Sequence, residues 1–209
     1  MTHADEQALR ADAQLNRDRL LEAAAEAFAR EGADTSLKAI AQRAGVGIGT
    51  LYRRFPTRED LIEATYRNET TKLCESATWL LETMDPVAAL REWMSRFTDY
   101  MLTKHGMSAA LPGILAAREG LRAGSRTMLR DAIGTLLDAG VQTAVLRADV
   151  PADDVMMSLG GITLIAGAEH ERELAARLID LLIAGLVPPG FRIAATRPPG
   201  ATRRYTRDG

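Results

Sequence analysis

Between Thr35 and Arg58 the chain sets two short apolar-patterned segments on either side of Gly45-Val46-Gly47 and stops the second with Pro56. Segments of about two turns do not persist alone, because helix nucleation is costly. They fold only by packing on each other and on a third element. In the first segment Leu37, Ile40, Ala41 and Ala44 share one face, and the small Ala41 and Ala44 admit a close neighbour. Gly45 supplies the left-handed backbone that a tight turn needs, and Val46 is placed to plug the angle between the helices. In the second segment Leu51 and Phe55 face inward, while Ile48 and Tyr52 lie on another face with Gly49 and Arg53 beside them. Two short helices joined by a glycine turn are the sequence form of a helix-turn-helix. The outward face of the second helix is expected to enter a DNA major groove.

Charge supports that expectation locally rather than globally. The 209-residue chain carries a net charge of −2, yet residues 35–58 hold Lys38, Arg43, Arg53, Arg54 and Arg58 and no acid. A confined basic window in a slightly acidic chain has the form of a phosphate-binding footprint. Thr35 and Ser36 open the first short helix, where hydroxyls and free N–H groups suit a phosphate. Arg43, Tyr52, Arg54 and Arg58 are expected to hold phosphates along the rim; Gly47 offers a backbone N–H. Base reading falls to Ile48 against a thymine methyl, to Thr50, and to Arg53 where it reaches a guanine.

The rest of the chain also reads as helix, so the fold class is all-α. Hairpin dipeptides and strand-like alternation are missing. A first helix is expected from about Asn16 to Arg30, with Leu20, Leu21, Ala24, Ala25 and Phe28 on one face. Thr57-Arg58-Glu59-Asp60 has capping-box spacing and opens a long helix to about Thr83. Asp85-Pro86 opens a helix ending near Gly106, and the next is expected to run to Gly120 with a kink at Pro112-Gly113. Further helices are expected at about 125–147, 153–168 and 171–186. Val155–Ala168, the longest apolar run, is about 14 residues, short of the roughly 20 that span a bilayer. It reads as a buried helix, and no membrane partner is expected. With Cys74 the only cysteine and no apolar signal core at the N-terminus, a cytoplasmic location is expected.

The wording of residues 35–61, from Thr35-Ser36-Leu37-Lys38 through Gly47-Ile48-Gly49-Thr50-Leu51-Tyr52 to Pro56-Thr57-Arg58-Glu59-Asp60-Leu61, closely resembles the signature of the TetR/AcrR family, over about residues 16–65. That family often has Ser where Gly47 stands and His where Arg54 stands. Gly47 loses a capping hydroxyl and Arg54 adds charge. Thr103-Lys104-His105-Gly106 and Leu146-Arg147-Ala148-Asp149-Val150 look like an SbtR-like ligand domain over roughly 85–187. The resemblance implies a homodimeric, ligand-responsive transcriptional regulator, most simply a repressor, whose partners are a double-stranded DNA operator, a second copy and a small, largely apolar effector. An activator stays open, because the sign depends on where the operator lies. The implied organisation is a flexible arm at 1–13, a DNA-binding domain at 14–60, a ligand-binding and dimerisation domain at 61–187, and a disordered Arg-rich tail at 188–209.

Two residue sets follow for the larger domain. Trp93, Phe97, Tyr100 and Met101 fall near one helix face, with Trp79 before them and Met107 and Leu111 after; they either line an effector pocket or pack as core. In the last two helices Leu174, Leu178 and Leu181 form one stripe, while Leu182 belongs to a second. Together with Ile165 and the close approach allowed by Gly160 and Gly161, these are expected at a twofold dimer interface. The alternative is a helix buried within a monomer. Nucleophile-elbow, zinc-protease and phosphate-loop motifs are missing, and His3, His105 and His170 are isolated. No enzyme, cofactor or metal site is expected. A helical enzyme with a vestigial helix-turn-helix is the competing class.

Overall fold

The computed structural model describes residues 3–118, 120–169 and 172–188, and within them every regular element is an α-helix. In chain order these are α1 (His3–Glu31), α2 (Leu37–Arg43), α3 (Ile48–Arg54), α4 (Arg58–Thr83), α5 (Pro86–Gly106), α6 (Leu111–Ala117), α7 (Leu121–Gln142), α8 (Ala152–Glu169) and α9 (Arg172–Leu186). The expected tail beyond Pro188 and the His170-Glu171 pair lie outside the described residues.

Helix ends follow local chemistry. Gly32 at φ 81° closes α1, its N–H donating to the Phe28 carbonyl at 3.0 Å. At the start of α4 the Thr57 hydroxyl accepts from the Asp60 N–H and the Asp60 carboxylate accepts from the Thr57 N–H, a reciprocal capping box. Asp85 caps α5 by accepting from the Val87 and Ala88 N–H groups, with Pro86 in the first turn, where its missing N–H costs nothing.

Three expectations about these boundaries are corrected. The arm at 1–13 is helical from His3 onward, so α1 begins well before Asn16. Residues 4–15 are rich in Ala, with Leu, Gln, Glu and Arg and no Gly or Pro, and such a run extends a helix already anchored downstream. Pro112 does not kink a continuous helix; the chain turns at 107–110 and Pro112 lies in the first turn of α6. α7 starts earlier and ends earlier than expected. It begins at Leu121 behind Gly120 (φ 81°) and ends at Gln142, where Ala144 takes a left-handed φ of 57°.

One continuous core runs through the molecule. Leu20, Leu21 and Phe28 of α1, Ile40 of α2, and Leu51 and Phe55 at α3 close the small end. Leu61, Ile62 and Tyr66 carry the same core along α4 into the larger bundle of Leu90, Trp93, Ile133, Leu136, Leu159 and Ile183. α4 packs on α1, α5 and α7, while α8 and α9 pack on each other and on α5. Between α1 and α5 the backbones nearly touch: a Cβ built on Gly106 would lie 1.9 Å from the Phe28 carbonyl oxygen. An Arg91–Asp180 ion pair, with contacts of 2.7 and 3.1 Å, ties α5 to α9. Among the described residues, no helix is long and apolar enough to cross a membrane.

Candidate nucleic-acid interface

The helix-turn-helix forms as its pattern dictates. After α2 the Ala44 and Gly45 N–H groups fold back on the carbonyls of Ile40 and Gln42, and the Val46 N–H reaches Ala41 at 3.0 Å. Gly45 has φ 69° and open space around the position of a Cβ, so backbone conformation rather than crowding requires glycine there. Leu51 and Phe55 are buried and Val46 packs against the core, as their spacing implied. Ile48, Gly49, Tyr52 and Arg53 are exposed together, with Gly47 exposed at the helix N-terminus. Ile48 is 39% and Tyr52 49% exposed, so both are available on this outward face. Arg53 donates to the Thr50 hydroxyl at 3.2 Å, so two expected base-reading side chains are already arranged side by side.

Several residues expected on phosphates have partners within the protein. Thr35 is buried and its hydroxyl donates to the Gly32 carbonyl at 2.9 Å, which fixes the α1–α2 loop. Arg58 donates to the carbonyls of Ala33 and Thr35 at 2.5 and 2.8 Å, strapping the start of α4 to the same loop. Arg43 is ion-paired with Glu31, and Arg54 donates to the Ala13 carbonyl at 2.7 Å. The partners of these three arginines lie 12 to 41 residues away in sequence, beyond what local spacing reveals. Ser36 stays exposed at the start of α2 without a side-chain capping bond. Lys38, counted in the basic window, and Gln42, which the sequence reading did not single out, are both exposed on α2.

Trp93, Phe97 and Tyr100 of the aromatic set pack as core. Trp93 is fully buried and its indole N–H donates to the Leu73 carbonyl at 2.9 Å. Trp93, Phe97 and Tyr100 pack in sequence with ring centroids 5.8 and 5.9 Å apart, and Met107 at the end of α5 and Leu111 at the start of α6 are buried as well. Tyr100 accepts from the Thr70 hydroxyl at 3.2 Å; burial, with Tyr66 beside it, holds its phenol above the ordinary value. Trp79 is 51% exposed under the Arg96 guanidinium, 5.4 Å from the ring centroid. Of the expected pocket residues Met101 borders a cleft whose wall also carries charged side chains. Helical spacing puts aromatics on one face but does not say whether that face meets a void or another helix.

α8 and α9 contradict full burial in the monomer. Ile165 and Leu181 are exposed, along with Gly161; Gly160, Leu174, Leu178 and Leu182 are half-buried beneath them. Met157 and Leu164, not singled out from the sequence, join the exposed set.

Comparison with known proteins agrees with this architecture. Residues 20–65 match the family described as bacterial regulatory proteins, tetR family, and residues 85–188 match the SbtR-like C-terminal domain of transcriptional regulators. A TetR transcriptional regulator from Streptomyces coelicolor is 44% identical over 83% of this chain and 99% of its own, with a TM-score of 0.78. A TetR regulatory protein from Mycobacterium vanbaalenii is 31% identical over 86% of this chain and 99% of its own, with a TM-score of 0.70. A gamma-butyrolactone receptor described as ArpA-like is 25% identical over 85% of this chain and 91% of its own, with a TM-score of 0.56. With its exposed recognition helix and matches at both ends, the chain belongs to the TetR family of transcriptional regulators.

Proposed function

We propose that this regulator is a ligand-responsive repressor that binds a pseudo-palindromic operator as a homodimer. The observation that carries the reading is the apolar face left open on α8 and α9. Met157, Leu164, Ile165 and Leu181 are 64, 65, 55 and 69% exposed, while the rest of these helices is packed on α5 and α7. Scattered exposed apolar residues need no explanation, but four large ones on one helix pair form a patch that water disfavours. A second copy covers it by twofold symmetry, since each chain presents the same face. Two recognition helices then read two half-sites, and twofold protein symmetry predicts a pseudo-palindrome.

Readout on this account rests on Ile48, Thr50 and Arg53, with Gly49 allowing close approach. Tyr52, Ser36, Gly47 and Lys38 contact phosphates. Arg43 and Arg54 join them only by exchanging their present partners. So short a reading surface draws part of its specificity from half-site spacing and DNA shape. The similarity to a gamma-butyrolactone receptor supports a small-molecule input. The trial is a promoter fused to a reporter, using the DNA that flanks the regulator's own gene, with and without the regulator. Repression that is lost in Tyr52→Ala and in Leu181→Glu supports the reading. A reporter that is indifferent to the wild-type protein overturns it.

A further inference from the structure

A cleft of about 560 Å3 lies where α1 of the DNA-binding end meets α4, α5, α8 and α9. Its buried floor is made of small side chains: Ala25, Thr103, Thr163, Ala166 and Ala175. Five helices converge there, and the small side chains of this floor leave a void that the larger Met101 and Leu102 only border. The volume is within the range of small-molecule sites. Its wall, however, is charged, unlike the aromatic lining the sequence suggested.

The charges sort by partner. Lys72 pairs with Glu69 at 3.5 Å and Arg172 with Asp99 at 3.0 Å. Glu22 and Glu26 stand one turn apart on the exposed face of α1, with no cation within 4.0 Å among the described residues. Arg30 follows one turn further on, and His105 faces them from α5. On the far side of the two glutamates Arg19 and Arg43 border a more open hollow, but Arg43 is taken by Glu31. Like charges one turn apart destabilise each other; a cation held between them relieves that repulsion and forms charge-assisted hydrogen bonds.

We propose that this cleft is the effector site and that its ligand is a small polar amine. The ammonium lies between Glu22 and Glu26, and the body rests on the Ala–Thr floor beside Met101. The space makes the site, and the charge left without an ion-pair partner in its wall, two carboxylates against the single guanidinium of Arg30, favours a cation. Occupancy joins α1, which carries the helix-turn-helix, to α8 and α9, which carry the apolar face. A ligand there acts on the orientation of the DNA-reading end without touching α3. This deepens the ligand-responsive reading and rests on it.

Isothermal titration calorimetry of the full-length protein without DNA tests the site, with spermidine as the amine and triethylene glycol as an uncharged probe of similar length. Saturable binding of spermidine alone is expected. Glu22→Gln combined with Glu26→Gln, both exposed and tolerant of change, should weaken it about tenfold, as charge-assisted bonds become neutral ones. Ala29→Trp, which fills the cleft from its exposed rim, should abolish it. Glu82→Gln, elsewhere on α4, should change nothing. Absence of saturable binding, or binding that survives both cleft variants, overturns the proposal. DNA affinity of the Glu22→Gln/Glu26→Gln protein, measured without amine, should equal wild type, so failure here is separable from failure of the DNA-binding reading.

Discussion

Gly106→Ala sets two physical effects against each other. Gly106 ends α5 with a backbone that alanine adopts freely, so helix propensity alone predicts stabilisation of up to about 1 kcal/mol. The seam with α1 predicts the opposite. An added Cβ would meet the Phe28 carbonyl oxygen at 1.9 Å, its carbon at 2.5 Å and the Ala29 nitrogen at 3.1 Å. All three are backbone atoms, and no side-chain rotation relieves them. α1 has to shift away from α5 by roughly 1 Å, opening contacts around the fully buried Phe28. Overpacking of this kind costs about 1–3 kcal/mol, and a rigid backbone neighbour puts this site toward the upper end. The net is about 2 kcal/mol of destabilisation, a fall in Tm of about 4–8 °C for a chain of this size. Gly134→Ala is the control: it lies inside α7 with nothing within 4 Å of the new Cβ, so it should raise Tm slightly. Thermal and urea unfolding followed by circular dichroism reads both. A Gly106→Ala protein as stable as wild type refutes the close α1–α5 seam.

Three further outcomes follow from named contacts. Arg58→Ala should weaken DNA binding by loosening the α1–α2 loop, leaving the slope of log affinity against log salt unchanged, whereas Lys38→Ala should lower that slope by about 1; equal slope changes would return Arg58 to the phosphates. Leu181→Glu, counted twice in a twofold dimer, should raise the dimer dissociation constant at least about 100-fold by placing a charge in an apolar seam. Sedimentation showing an unchanged dimer, or a monomeric wild type, contradicts the α8–α9 interface. The Cys74 thiol is pushed up from 9.0 to about 11, first by burial and then by Asp131 and Glu75. Its folded value lies above its unfolded one, so the protonated thiol contributes stability below about pH 9 that fades as the pH rises through about 11. At pH 8 the native protein should alkylate about 100-fold more slowly than the urea-unfolded chain; comparable rates refute the burial.

The helix-turn-helix was legible because its determinants are local. Gly45 needs a left-handed turn, Leu51 and Phe55 repeat on one face, and Thr57 meets Asp60 three residues on. These relations lie within a few residues of one another. The arginines were less legible, because a basic side chain looks the same in sequence whether its partner is a phosphate or the carbonyl of Ala33. Arg58 and Arg54 are settled by contacts 23 to 41 residues away. The stripe from Trp93 to Tyr100 failed as a pocket for a related reason: periodicity identifies a face but not what covers it. The charged cleft left only a faint trace, the Glu22-Glu26-Arg30 row on α1, which by itself resembles any solvated helix face.

Fluorescence anisotropy on a labelled DNA fragment from beside the regulator's own gene tests the central claim most directly, with affinity and stoichiometry measured over a salt series. The account predicts two chains per site, affinity that falls steeply with salt, and loss of sequence preference in Arg53→Ala with the salt dependence largely retained. Binding by single chains, or an Arg53→Ala protein that discriminates sequences as well as wild type, would contradict it.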